Sequence, residues 1–100
     1  MTPETMKYAL VIEKGEDGFL WGFFPDLPGC TTAGETLDDI VGNAGEALDL
    51  YFEDETALPP ARSIAEILAD PDIAADIEAS HVVGYVAIEH RLHHEPVAAL

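Results

Sequence analysis

The stretch "GFFPDLPGCTTAGET", Gly22–Thr36, gathers two phenylalanines, two prolines, three glycines and the chain's single cysteine into fifteen residues. Pro25 and Pro28 fix φ at about −65° and remove backbone donors, so neither suits the middle of a paired strand. Asp26 can fold its side chain onto nearby amides, and Gly29 accepts a backbone conformation that other residues resist. These features describe a rigid corner between two strands. The same features leave open a second reading, an active-site loop that presents Cys30 as a nucleophile.

Working back from the corner, Phe19 to Phe24 ("FLWGFF") reads as a strand that Pro25 ends. Before it, "KGEDG", Lys14 to Gly18, is a turn, and "KYALVIE", Lys7 to Glu13, is a first strand with Tyr8, Leu10 and Ile12 on one face. The two form an antiparallel hairpin. Working forward, Gly29 to Ala33 predicts a short third strand, and Gly34 turns the chain into a helix capped by Thr36, with Asp39 placed to reach back to the cap. Leu37, Ile40, Val41, Ala44, Ala47, Leu48, Tyr51 and Phe52 recur at helical spacing, so one face must lie on the sheet. Gly42 and Gly45 each cost about 1 kcal/mol against alanine inside a helix, which implies close helix–sheet approach or a locally weak helix.

"ALPPAR", Ala57 to Arg62, is an extended link. Ser63 with Glu66 caps a short helix, and Asp70-Pro71 opens another that runs to about Ala79. "HVVGYVAIE", His81 to Glu89, is a last strand, expected to lie parallel to an earlier one after so long a helical crossover. The fold class is therefore α+β: a three-stranded antiparallel sheet plus a C-terminal strand, with one long helix packed on one face, in the order β-β-β-α-β. Residues 1–89 form the expected domain. Residues 90–100 are expected to be a frayed tail without a DNA-binding domain.

At 100 residues and 48% hydrophobic content the chain suits a single domain with a core. Twenty acids against four bases give a formal charge of −16. That field repels phosphate backbones, so direct nucleic-acid binding is disfavoured, and it favours a cationic protein partner. A lone cysteine forms no internal disulfide, no run of 18 apolar residues spans a bilayer, and the N-terminus lacks a signal-peptide pattern. A soluble protein of the cytoplasm, without membrane contact, is expected.

No catalytic set, cofactor or metal site is expected. A reactive Cys30 needs a neighbouring base, yet all four histidines, His81, His90, His93 and His94, fall at or after the last strand. "EHRLHHE", Glu89 to Glu95, has metal-binding atoms but not H-E-x-x-H spacing. A metal-dependent nuclease built on carboxylates such as Asp26 stays open as an alternative. So does a homo-oligomer, dimer or tetramer, paired through the last-strand edge at Val82, Val83, Tyr85, Val86 and Ile88. For a protein partner the candidate contacts are Trp21 with Phe23 or Phe24 as aromatic anchors, Asp26 in the corner, and the helix acids Asp38, Asp39, Glu46 and Asp49 for steering. Each helix acid also suits a plain solvated face, and Trp21 also suits a core position.

Residues Tyr8 to Asp54 together resemble the HicB antitoxin family. The likeness rests on E-K-x-x-x-G-[FY] after the first strand, then F-P-D-L-P-G-C, then T-x-G-x-T-L-x-[DE] leading into N-A-x-E-A-L. The segments "PPARSIAEILADPD" and "VVGYVAIE" extend it to about Glu89. The resemblance implies a partial RNase H-like fold without RNase H activity. It also implies binding and neutralisation of the small basic toxin HicA, an mRNA-cleaving ribonuclease of double-stranded RNA-binding-domain fold, by covering its active-site surface. Many family members carry a C-terminal operator-binding segment; here the residues after Ile88 are too few and too little basic for one. An orphan relative acting as an oligomeric regulatory module is the remaining variant of this reading.

Overall fold

The computed structural model describes residues 5–53 and 58–91. The element order is β1 (Thr5–Lys14), β2 (Leu20–Phe23), β3 (Thr31–Gly34), α1 (Leu37–Tyr51), α2 (Ile64–Leu68), α3 (Pro71–Ala79) and β4 (Val82–Arg91). The strands form one antiparallel sheet in the order β3-β2-β1-β4. The α+β class and the long helix on the sheet agree with the sequence.

The hairpin closes through Gly18, whose φ of +84° the turn requires, and Asp17 Oδ1 accepts from the Phe19 amide at 2.9 Å. At the corner, Gly29 also has φ +84°, and the corner takes both backbone groups of Cys30: its N–H donates to Leu27 O and its C=O accepts from the Phe24 amide. The third strand therefore starts at Thr31 rather than at Gly29. Thr36 caps α1, accepting from the Asp39 amide at 3.1 Å. Ser63 and Glu66 form a reciprocal capping box on α2, and Asp70 with Pro71 starts α3.

Tyr8, Leu10 and Ile12 of β1 meet Ile40, Ala44 and Leu48 of α1 in the main core, joined by Phe24, Leu27 and Cys30 from the corner. Tyr8 stacks on Phe52 at 5.7 Å and donates from its hydroxyl to Pro59 O at 2.6 Å, which ties the link after α1 to the sheet. Ala9 and Val11 point away from α1, yet are only 4% and 0% exposed, so the second face is closed at its centre too. The connection between α1 and β4 adds Phe52 and Leu58 to this core, and Ile67 of α2, 1% exposed, is buried outside the main cluster.

Two expectations change. First, β4 is antiparallel to β1, not parallel to any strand. The Lys14 amide donates to His81 O at 2.9 Å, so the connection ends beside the C-terminal end of β1 and the chain can only run back along it. Secondly, β4 extends through His90, which is 6% exposed and stacks on Phe52 at 4.9 Å, so the frayed tail does not begin at residue 90. Residues 92–100, the rest of that expectation, lie outside the described residues.

The helix glycines do not mark close approach. A Cβ built on Gly42 or Gly45 meets nothing within 4 Å, whereas one on Gly34 falls 2.7 Å from Ile40 N. Gly42→Ala and Gly45→Ala should therefore each raise unfolding free energy in urea by about 0.5–1 kcal/mol, and Gly34→Ala should lower it.

Candidate functional site

Capping and core packing together orient α1. With Ile40, Ala44 and Leu48 turned to the sheet, Asp38, Asp39, Glu46 and Asp49 are all exposed. No lysine or arginine lies on α1 with them, and His90 Nδ1 of β4 is 3.4 Å from Asp49 Oδ1. The three helices hold eight acids, Asp38, Asp39, Glu46, Asp49, Glu66, Asp72, Asp76 and Glu78, and no lysine or arginine. The strands hold Lys7, Lys14 and Arg91 against Glu13 and Glu89. The helices thus carry acids and no lysine or arginine, and the sheet is close to neutral.

Near its C-terminal end α1 also exposes apolar groups. Leu50 is 72% exposed, the most of any large hydrophobic side chain among the described residues. It separates two shallow grooves. One, of about 360 Å³, is lined by Glu46, Asp49, Leu50 and Glu53. The other, of about 260 Å³, is lined by Gly29, Cys30, Thr31, Ala47, Leu50 and Tyr51, and Tyr51 closes its side by donating to Pro28 O at 3.3 Å. Three carboxylates beside an exposed leucine suit a cationic side chain whose stem packs on the leucine while its head meets the acids.

The sequence-derived contact residues do not form one site. Trp21 is 53% exposed, 5.6 Å from Phe19, and lies with half-buried Phe23 on the sheet face turned away from α1. The aromatic pair and the helix acids are therefore on opposite sides of the sheet. Phe24 is 2% exposed and belongs to the core, so it cannot anchor a partner. Alternation along the strand separates it from Phe23.

Asp26 is committed elsewhere. Its side chain is 8% exposed and accepts from the Arg62 backbone N–H at 2.7 Å and from Arg62 Nε at 2.6 Å. Arg62 Nη1 donates to Asp70 Oδ2 at 2.9 Å, while Asp70 Oδ1 caps α3 by accepting from the Asp72 amide. One guanidinium thus fastens the corner to the start of α3. These contacts hold Arg62 above its ordinary pKa through Asp70 and then Asp26, and Arg62 holds the Asp70 carboxyl below its own. The role of Arg62 is not legible in the sequence, because its partners lie 36 and 8 residues away. Leu50, by contrast, was visible as a leucine off the periodic face of α1.

Cys30 is 4% exposed, its thiol is pushed up by burial, and Sγ lies 3.9 Å from Ala47 O. This answers the question raised by the corner: the cysteine packs under α1, away from solvent. Among the described residues no three His, Cys, Asp or Glu side chains are placed to hold a metal ion, and no helix is long and apolar enough to cross a membrane.

The family model for HicB-like antitoxins of bacterial toxin-antitoxin systems matches residues 8–95. A UPF0150 protein of Archaeoglobus fulgidus is 48% identical to this chain over 48 residues, covering 48% of this chain and 70% of that protein. A chain of a HicA3 and HicB3 toxin-antitoxin complex is 34% identical, with a TM-score of 0.61 over 83% of this chain and 98% of that one. The N-terminal domain of Burkholderia pseudomallei antitoxin HicB, 24% identical, has the same fold, with a TM-score of 0.65 over 87% of this chain and 100% of that domain.

The Arg62 clamp gives a pH prediction. Asp70 is lowered chiefly by its bond from Arg62, and Glu66 chiefly by the Ser63 backbone N–H. The stability they contribute is fully present above the ordinary carboxylate range, about pH 4, and is lost as pH falls through their depressed values. Asp70→Asn keeps a capping side chain and should flatten the acid limb of a melting-temperature profile. Asp26→Asn, at the more buried carboxylate with two bonds, should lower the melting temperature further at pH 7.

Proposed function

The chain belongs to the HicB-like antitoxin family, and from that membership we propose that it binds and neutralises a small, basic, mRNA-cleaving toxin of the HicA type in the cytoplasm, without catalysis of its own. The observation that carries the surface assignment is the acid-lined outer side of α1 around Leu50, on helices without a single base. A relative in a HicA3 and HicB3 complex supports the class of partner.

The chain's field draws the cationic toxin in, with Asp38, Asp39, Glu46 and Asp49 adding to the steering. Glu46, Asp49 and Glu53 then receive lysine or arginine heads, and Leu50 supplies the desolvated contact that slows dissociation. Covering the toxin's active-site surface stops cleavage; the chain needs no chemistry of its own for that. Trp21 and Phe23 lie outside this surface, and Asp26 serves the clamp.

Equimolar addition of the chain to a basic HicA-type toxin should suppress cleavage of an mRNA substrate; undiminished cleavage at saturating chain would contradict the reading. Replacing Glu46, Asp49 and Glu53 by their amides should reduce the association rate about 10-fold at low salt. Leu50→Ala should raise Kd by about 10-fold, and Trp21→Ala should leave it within about 2-fold.

A further inference from the structure

We propose that His90 and Asp49 couple recognition of the basic toxin to a proton: an uncharged imidazole leaves the Asp49 carboxylate to a base of the partner, and an imidazolium keeps it. The inference rests on the acidic side of α1 being the toxin surface, and it brings in a residue of β4 behind that surface.

His90 is 6% exposed, and strand alternation puts it on the same side of the sheet as Ile88 and the main core. Its ring stacks on Phe52 at 4.9 Å, and Phe52 stacks in turn on Tyr8, so three rings hold one another in place. From there His90 Nδ1 lies 3.4 Å from Asp49 Oδ1, within ion-pair distance once the ring carries its second proton. The partners differ sharply in exposure. The Asp49 side chain is 71% exposed and lines a groove with Glu46, Leu50 and Glu53. One carboxylate therefore has a buried titratable ring behind it and solvent in front of it.

An imidazole is the side chain that ordinarily changes charge between about pH 5 and 8. The groups around His90 bear on that change from each side. From α1, Asp49 favours the charged ring directly; the last turn of the helix, which has no basic residue of its own, favours it through the negative end of the helix dipole. Glu46 and Glu53 add negative charge in the same groove. Burial acts against charge: Phe52 covers a face of the ring, and Met6 of β1, its cross-strand neighbour, is packed on the core. Lys7 and Glu89, paired in register, lie by alternation on the other side of the sheet. A lysine or arginine head at Asp49 and a proton on His90 then compete for one carboxylate and repel each other. By linkage each weakens the other by the same factor, about 5-fold at the lower end of site-to-site coupling. Toxin binding is tighter on the alkaline side and expels the proton.

The test is a double-mutant cycle on the full chain, reading Kd for a basic HicA-type toxin at fixed ionic strength, at about pH 5.5 and about pH 8. At the acid pH His90→Gln should tighten binding about 5-fold, and in the Asp49→Asn background that gain should shrink to within about 2-fold. At the alkaline pH it should be absent in both backgrounds. His90→Phe, which keeps a ring on Phe52, should repeat the result and so separate charge from packing. Without toxin, ring-proton NMR of the free chain should show the His90 titration midpoint falling in Asp49→Asn. A gain that is equal at both pH values, or a His90 midpoint that ignores Asp49→Asn, overturns the proposal and leaves the toxin surface standing. Toxin affinity indifferent to Asp49→Asn at both pH values, beside a free chain in which the pair titrates as expected, is instead the failure of that surface, and the coupling falls with it.

Discussion

Sixteen excess negative charges on 100 residues are the constraint that this fold has to accommodate. Like charges in a small domain oppose compaction, and the opposition falls as they move to solvent and apart. The chain places eight acids on three helices and keeps its strands near neutral, with three of its four bases there. The sheet can then pair closely, with Lys7 opposite Glu89 in register between β1 and β4. The same segregation leaves an anionic outer helix surface beside a near-neutral sheet.

The fourth base is Arg62, and its position gives it more influence than a surface arginine usually has. It bridges Asp26 in the proline corner and Asp70 at the head of α3. Between the hydrogen bond from Tyr8 to Pro59 and the one from Lys14 to His81, the connection from α1 to β4 has this clamp as its charged anchor. The bond from Lys14 to His81, at the C-terminal end of β1, is what returns β4 antiparallel. The residue most readily suspected of chemistry, Asp26, turns out to be occupied by this structural task.

The hairpin, the helix with its Thr36 cap, the Ser63–Glu66 box and the Asp70-Pro71 start were legible because each is written in neighbouring residues. The FPDLPGC corner was legible for the same reason, and its cysteine reads correctly as a packed thiol once no histidine is near. The direction of β4 was not legible: helical crossovers of this length permit either sense, and only the distant contact between His81 and Lys14 chooses. The clamp was hidden by the 36-residue separation of its partners. The interaction surface was half visible. Helix acids showed in the pattern, but alternation alone did not place Trp21 and Phe23 on the opposite face from them, and Leu50 stands off the apolar period of α1.

What remains distinctive is that recognition is assigned to charge placement on a rigid scaffold rather than to a catalytic cleft. The decisive measurement is the dissociation constant between this chain and a basic HicA-type toxin as a function of salt. Recognition by the helix acids predicts a Kd that rises about 10-fold or more between roughly 50 and 500 mM salt, chiefly through a slower association rate. A tight complex whose affinity and association rate ignore salt would contradict it.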